Sequence, residues 1–240
     1  MTSHNCWICG GSAETAEHRI KKSDLVDQYG KGPYHGTDAP RHFKEGRVRP
    51  IQGPDSGLIK YEKNLCSSCN SSFTRPFDLA YEQFVAWTMS HQQDVVAHRV
   101  IDFESMFGTD WENKQRDLFK FFAKCFGCRM NEAGRAVPRD VVDLLVKVSF
   151  TTALYVTFLV NEDFEELKIH NVGTEPLFAH RDRLSGDEVG FQCGHSVGWL
   201  TIMYWYHHLP LEPVGAQWIA NSKHVYLGWH RPLRVSKGAY

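Results

Sequence analysis

The chain has 240 residues, 42% of them hydrophobic and 23% charged, and a net charge of −1. This composition excludes a wholly disordered chain and one that holds nucleic acid through bulk positive charge. Seven cysteines are too few for a secreted disulfide scaffold, the opening Met1–Cys6 is polar and unlike a secretory leader, and the longest apolar run, Val148 to Val160, is shorter than the roughly 20 residues of a bilayer span. A cytoplasmic protein that does not enter the membrane is expected. Charge is uneven: residues 1–75 carry 11 Lys and Arg against 8 Asp and Glu, and the remainder 16 against 20.

In chain order, Cys6-Trp-Ile-Cys9 reads as a knuckle turned by Gly10-Gly11, and Ala16 to Ile20 as an extended piece carrying Glu17 and His18. Ser23 or Asp24 can cap a short helix through Gln28, closed near Gly30. Residues 30–58 are rich in Gly and Pro and read as a long loop. Its Arg41, His42, Lys44, Arg47 and Arg49 either meet a nucleic-acid backbone or belong to a solvated insertion. Cys66-Ser-Ser-Cys69 forms a second knuckle and leads through Pro76 into a helix to about His91, with Asp78, Tyr81, Phe84 and Val85 at helical spacing. A second helix is predicted over Trp111–Cys128 and a third from Pro138-Arg139-Asp140, with Val141, Leu144, Leu145 and Val148 as its stripe. Strands are predicted at Phe150–Val160, Leu167–Val172, Trp199–Tyr206 and His224–Trp229. The fold class is α+β, divided into a module at 1–78 and a helical plus antiparallel-strand domain at 79–240.

Two C-x2-C pairs can complete a tetrahedral zinc shell, so Cys6, Cys9, Cys66 and Cys69 are expected to share one structural Zn2+. Cys125-Phe-Gly-Cys128 is set aside, because Cys125 lies on the apolar face of a strong helix. Neighbouring side chains on an extended segment point to opposite sides, so Glu17 can face a cation while His18 faces water. Asn70, fixed beside Cys69, can offer a neutral oxygen. Two oxygen ligands with water and phosphate suit Mg2+ or Mn2+. His207-His208 and the aromatic stretch Met203–Tyr206 are expected to pack a sheet.

Cys-x2-Cys, Glu-His and Cys-x2-Cys-Asn together resemble the zinc-containing HNH endonucleases, whose site is a ββα-metal fold; the likeness covers roughly residues 4–85. The resemblance implies a metal-dependent endonuclease acting on DNA, double-stranded by preference, in a bacterial or phage defence setting. It implies Glu17 and Asn70 as ligands of the catalytic cation and His18 as general base. The family's middle Asn has no counterpart at Lys60; the nearest is Asn64, which, or a backbone group of the loop, would orient the base. Arg75 at the helix start either approaches the phosphate or is simply solvated. Lys21, Lys22, Arg47, Arg49 and Lys60 are the expected backbone contacts. Residues 79–240 would position substrate, bind a protein partner or form a homo-oligomer. The alternative is a non-catalytic zinc module that docks on nucleic acid or protein.

Overall fold

A computed structural model describes residues 5–36, 39–44, 47–146, 150–161, 172–208 and 216–230. They form the mixed α+β architecture that the patterning predicts. Helix α1 spans Lys22–Tyr29 and stops at Gly30, whose φ of 79° suits a residue without a Cβ. Helix α2 spans Arg75–Ser90, with Pro76 and Asp78 in its first turn, where a missing N–H costs nothing and a carboxylate meets the positive end of the helix. It buries Phe77, Ala80, Tyr81, Phe84 and Val85. The short α3 (Gln92–His98), β3 (Val100–Asp102) and α4 (Phe103–Phe107) lead to α5, Trp111–Glu132. Helix α5 runs four residues past the predicted end because Arg129 and Met130 continue its buried face. Helix α6, Arg139–Val146, begins where Pro138-Arg139-Asp140 predicts, but Val148 falls outside the described residues.

Strands β4 (Leu154–Asn161), β5 (Val172–Thr174), β6 (Phe178–Arg181), β7 (Glu188–Val197) and β8 (Leu200–His207) make the main sheet with β10 (Gly228–His230). Its order is β10-β4-β8-β7-β5, with β6 also on β7. All pairs are antiparallel except β10 with β4. The predicted strand His224–Trp229 is two strands, because β9 (His224–Tyr226) pairs with β3 instead of joining the main sheet. The predicted Leu167–Val172 strand lies outside the described residues except for Val172, which opens β5. Strand β8 is buried along most of its length, so Met203, Tyr204 and Tyr206 pack the sheet as expected. Strand β7 escapes sequence patterning because Gly190 and Gly194 interrupt its alternation. Both are needed: a Cβ at Gly190 would lie 2.6 Å from the carbonyl oxygen of Tyr206, and one at Gly194 would lie 2.6 Å from the Met203 sulfur.

The stretch read as a loop holds a hairpin, β1 (Arg41–Lys44) with β2 (Arg47–Pro50), in which His42 faces Arg49. A small core of Leu25, Tyr34, Ala39, Ile51 and Ile59 lies within this region and ties the stretch to α1. The main core does not divide at residue 78. Cys6, Ile8, Leu65 and Cys69 belong to one apolar cluster with α2, α5 and the main sheet, centred on a fully buried Trp218. That indole packs on Phe103, Phe158 and Phe119 at centroid distances of 5.0, 5.4 and 5.5 Å. Burying each such ring stabilises the fold by about 2 kcal/mol. Among the described residues no helix is long and apolar enough to cross a membrane.

The first knuckle docks on α5 through Trp7, whose ring lies against the backbone of Gly127. A Cβ at that glycine would lie 2.6 Å from Trp7 Cζ2. Gly127→Ala is therefore expected to lower stability by about 1–3 kcal/mol through overpacking. Denaturant melts measure the loss, and Trp7→Leu in the same background should recover part of it by removing the obstructing ring.

Candidate metal centre and adjoining cleft

The two knuckles close on each other. In the first, the Gly10 N–H reaches the Cys6 carbonyl at 2.8 Å and the Cys6 N–H reaches that of Gly11 at 2.6 Å. In the second, the Cys69 N–H points at Cys66 Sγ, 3.4 Å away, and this donor lowers the Cys66 thiol to about 7. The four sulfurs of Cys6, Cys9, Cys66 and Cys69 all lie within 4.8 Å of one another, and Cys9 and Cys66 Sγ are 3.7 Å apart. A tetrahedron with zinc–sulfur bonds of about 2.3 Å requires sulfurs about 3.8 Å apart, so the donor set fits zinc. Cys125, Cys128 and Cys193 stand outside the cluster, as the sequence reading of the Cys125 pair expects.

Backbone pairing extends from the clamp. Thr15 pairs with Leu65 and His18 with Lys60, both antiparallel, and the Tyr61 N–H reaches the Glu17 carbonyl at 2.9 Å. The chain thus runs extended, extended, helix, with the 21–58 excursion inserted between the first two segments. Alternation then separates the neighbours. Glu17 turns inward and is buried, with Oε2 3.3 Å from Nζ of Lys124 on α5. That ammonium, itself fully buried, also meets Asp78 Oδ1 at 2.8 Å. His18 is half-buried with Nε2 enclosed and without a hydrogen-bond partner, and burial lowers its pKa. Asn70 stands in a π-helical turn, Cys69–Phe73, with Oδ1 likewise enclosed and unpartnered.

Other expected site residues are placed differently. Asn64 is buried and gives its amide to the Cys128 carbonyl of α5 at 3.5 Å, so its side chain braces that helix and does not orient His18. Lys21 is taken up by Asp78 at 2.7 Å and Lys22 by Asp55, also at 2.7 Å. These internal pairs correct the expectation of free phosphate contacts there. Arg75 is exposed on the first turn of α2. Arg47, Arg49 and Lys60 come together: with Arg19, His42, Gly57, Leu58, Tyr61, Glu62 and Glu132 they line a cleft of about 400 Å³. Arg19 is ion-paired with Glu132 there, which leaves the hairpin arginines and Lys60 as its main positive charge.

Sequence reasoning missed Lys124, Arg129, Asp24, Tyr81, His195 and Tyr204. The signal for Lys124 was present: it stands between Phe121 and Cys128 on a helical stripe that is otherwise apolar. Asp24 is buried and accepts the Tyr81 hydroxyl proton at 2.7 Å, and the same Tyr81 oxygen lies 3.2 Å from His195 Nε2. The Tyr204 hydroxyl meets His195 Nδ1.

Fold and site define an α+β protein with a four-cysteine centre that could hold zinc. No family model, no curated protein and no solved structure matches the chain.

Metal analysis should find about one tightly held zinc per chain; Cys66→Ser should lose it, whereas Cys125→Ser should keep it. A second outcome concerns pH. Burial raises the Asp24 carboxyl from 3.8 to about 7, so its ionised form opposes folding. The cost is absent below the unfolded value, grows as pH rises through the window, and is complete above the folded value. Between pH 5 and pH 8 the wild type should lose about 3 kcal/mol relative to Asp24→Asn, at 1.36 kcal/mol per unit. Parallel urea titrations at the two pH values measure the difference.

Proposed function

We propose that the chain is a zinc-stabilised, HNH-type endonuclease that hydrolyses DNA phosphodiester bonds. The observation that carries the reading is His18: a half-buried imidazole with an unpartnered Nε2, its pKa lowered by burial, which lines the adjoining cavity while its backbone pairs with Lys60 of the basic cleft. A neutral imidazole can take a proton from water, the role a general base plays in this reaction. Arg47, Arg49 and Lys60 can hold the flanking phosphates. The family resemblance implies a divalent cation next to His18. Asn70 Oδ1 is unpartnered, and Glu17 uses only Oε2 toward Lys124, so these two side chains would hold Mg2+ or Mn2+. The cation would neutralise charge on the phosphate and the leaving oxygen. Double-stranded DNA as substrate and a defence setting follow from the family resemblance.

One observation favours the second reading, a zinc module that docks on nucleic acid or protein without cutting. The Glu17 charge is already balanced by a fully buried Lys124.

Supercoiled plasmid, linear duplex and RNA incubated with the protein and Mg2+ or Mn2+ decide between them. The nuclease reading expects cutting by wild type and a loss of about 100-fold or more in His18→Ala, the scale of general-base catalysis. Arg47→Ala with Arg49→Ala should weaken substrate binding while zinc content stays unchanged. Cutting that survives His18→Ala removes the proposed base. Duplex binding without cutting, under either cation, establishes the docking module.

A further inference from the structure

Behind His18 lies a second cavity, bounded by α1, α2, α5, β5, β7 and β8. Its wall includes His18, Lys21, Arg129, His195, Ser196 and Tyr204. Two of these present enclosed polar atoms with no hydrogen-bond partner, His18 Nε2 and Arg129 Nε. Arg129 is only 7% exposed; among the described residues its side chain donates one hydrogen bond, to the Glu175 carbonyl, and its guanidinium lies 6.0 Å from the Tyr61 ring centroid. No carboxylate of the described residues pairs with it, although an uncompensated buried guanidinium costs several kcal/mol. Arg19 and Lys21, the other cations of the wall, are already neutralised by Glu132 and Asp78.

Among the described residues the remaining acid is not paired with the guanidinium. Asp24 also lines the cavity, but it is engaged by Tyr81. Tyr81 donates to Asp24, and His195 meets the Tyr81 oxygen through Nε2 and the Tyr204 hydroxyl through Nδ1. Burial lowers the His195 pKa to about 3, so its ring is neutral and adds no charge beside Arg129.

We infer that this cavity is an anion site that takes an oxygen of a phosphate group, with Arg129 as its principal ligand. Size narrows the choice. The enclosed space is about 10 Å³. The enclosed part is the size of one water-like atom. It therefore admits a single phosphate oxygen, with the rest of the group in the mouth. An internal diester carries a sugar on both sides, so free phosphate or the phosphate at the end of a strand suits the opening better.

The inference does not rest on the nuclease reading, because it is read by binding without added Mg2+ or Mn2+. Wild-type protein is titrated with inorganic phosphate, with a 5′-phosphorylated oligonucleotide and with the same oligonucleotide lacking that phosphate, while 31P NMR and thermal melts are followed. Inorganic phosphate is expected to raise the melting temperature, and chloride at equal ionic strength is not. Preference for the phosphorylated over the unphosphorylated oligonucleotide identifies a strand end as the source; response to inorganic phosphate alone identifies the free ion. Arg129→Gln should weaken binding at least tenfold. Since loss of a buried residue can disturb folding, Arg129→Lys and Ser196→Ala are measured beside it, with zinc content as the check on fold. Stabilisation that chloride reproduces, absence of any phosphate effect on the wild type, or equal binding by folded Arg129→Gln overturns the assignment.

Discussion

Closure of the 10–65 excursion by four thiols is the constraint on which the rest depends. Between Cys9 and Cys66 the chain makes a helix, a hairpin and a small core of five apolar residues. So small a core cannot offset the ordering entropy of that many residues by itself. Bringing the two pairs within 4.8 Å fixes both ends of the excursion at once. Structural zinc contributes about 10–16 kcal/mol in small modules, enough to offset loop closure many times over. The clamp also sets the register: Thr15 opposite Leu65 puts His18 opposite Lys60, and a slip of one residue would exchange the faces to which Glu17 and His18 point.

Held this way, Glu17 enters a buried charge cluster that joins three parts of the molecule. Lys124 on α5 reaches Glu17 of the extended segment and Asp78 of α2, and Asp78 in turn receives Lys21 at the start of α1. A lone buried ammonium would be strongly destabilising, and two carboxylates turn it into a specific junction. The same junction explains why the main core runs without a break from the knuckles to the sheet. Once α5 carries the partner of Glu17, the bed of Trp7 and the acceptor for Asn64, the N-terminal region is packed against the rest by side chains of quite different chemistry.

What could be read from the sequence follows from the range of the forces involved. The knuckles, α2, α5, α6 and the buried strands β4 and β8 are set by spacing within a dozen residues, and their patterns survive in the chain. Strand β7 was hidden because close approach to β8 demands Gly190 and Gly194, which depress strand propensity locally. The hairpin was hidden because its exposed Arg47, Val48 and Arg49 carry no burial pattern. In the site, the cysteine cluster was legible, since motif spacing announces it. The fates of Lys21, Lys22 and Asn64 were not. Each is decided by a partner more than 30 residues away, and spacing is silent about such partners.

Residues 79–240 are therefore not a separate attachment to the metal centre. Helix α5 and strands β7 and β8 supply Arg129, His195, Ser196 and Tyr204 to a cavity whose opposite wall is His18 and Lys21. Neither side makes that cavity alone. A hydrogen-bonded line crosses it from Tyr204 on β8 through His195 on β7 and Tyr81 on α2 to Asp24 on α1. Any displacement of the main sheet against α1 must break one of these bonds and leave a buried polar group unpaired, at about 1–3 kcal/mol each. The sheet is thus coupled to the segment bearing His18 by both packing and hydrogen bonding, and the environment of that imidazole is set as much by the C-terminal half as by the cysteines that frame it.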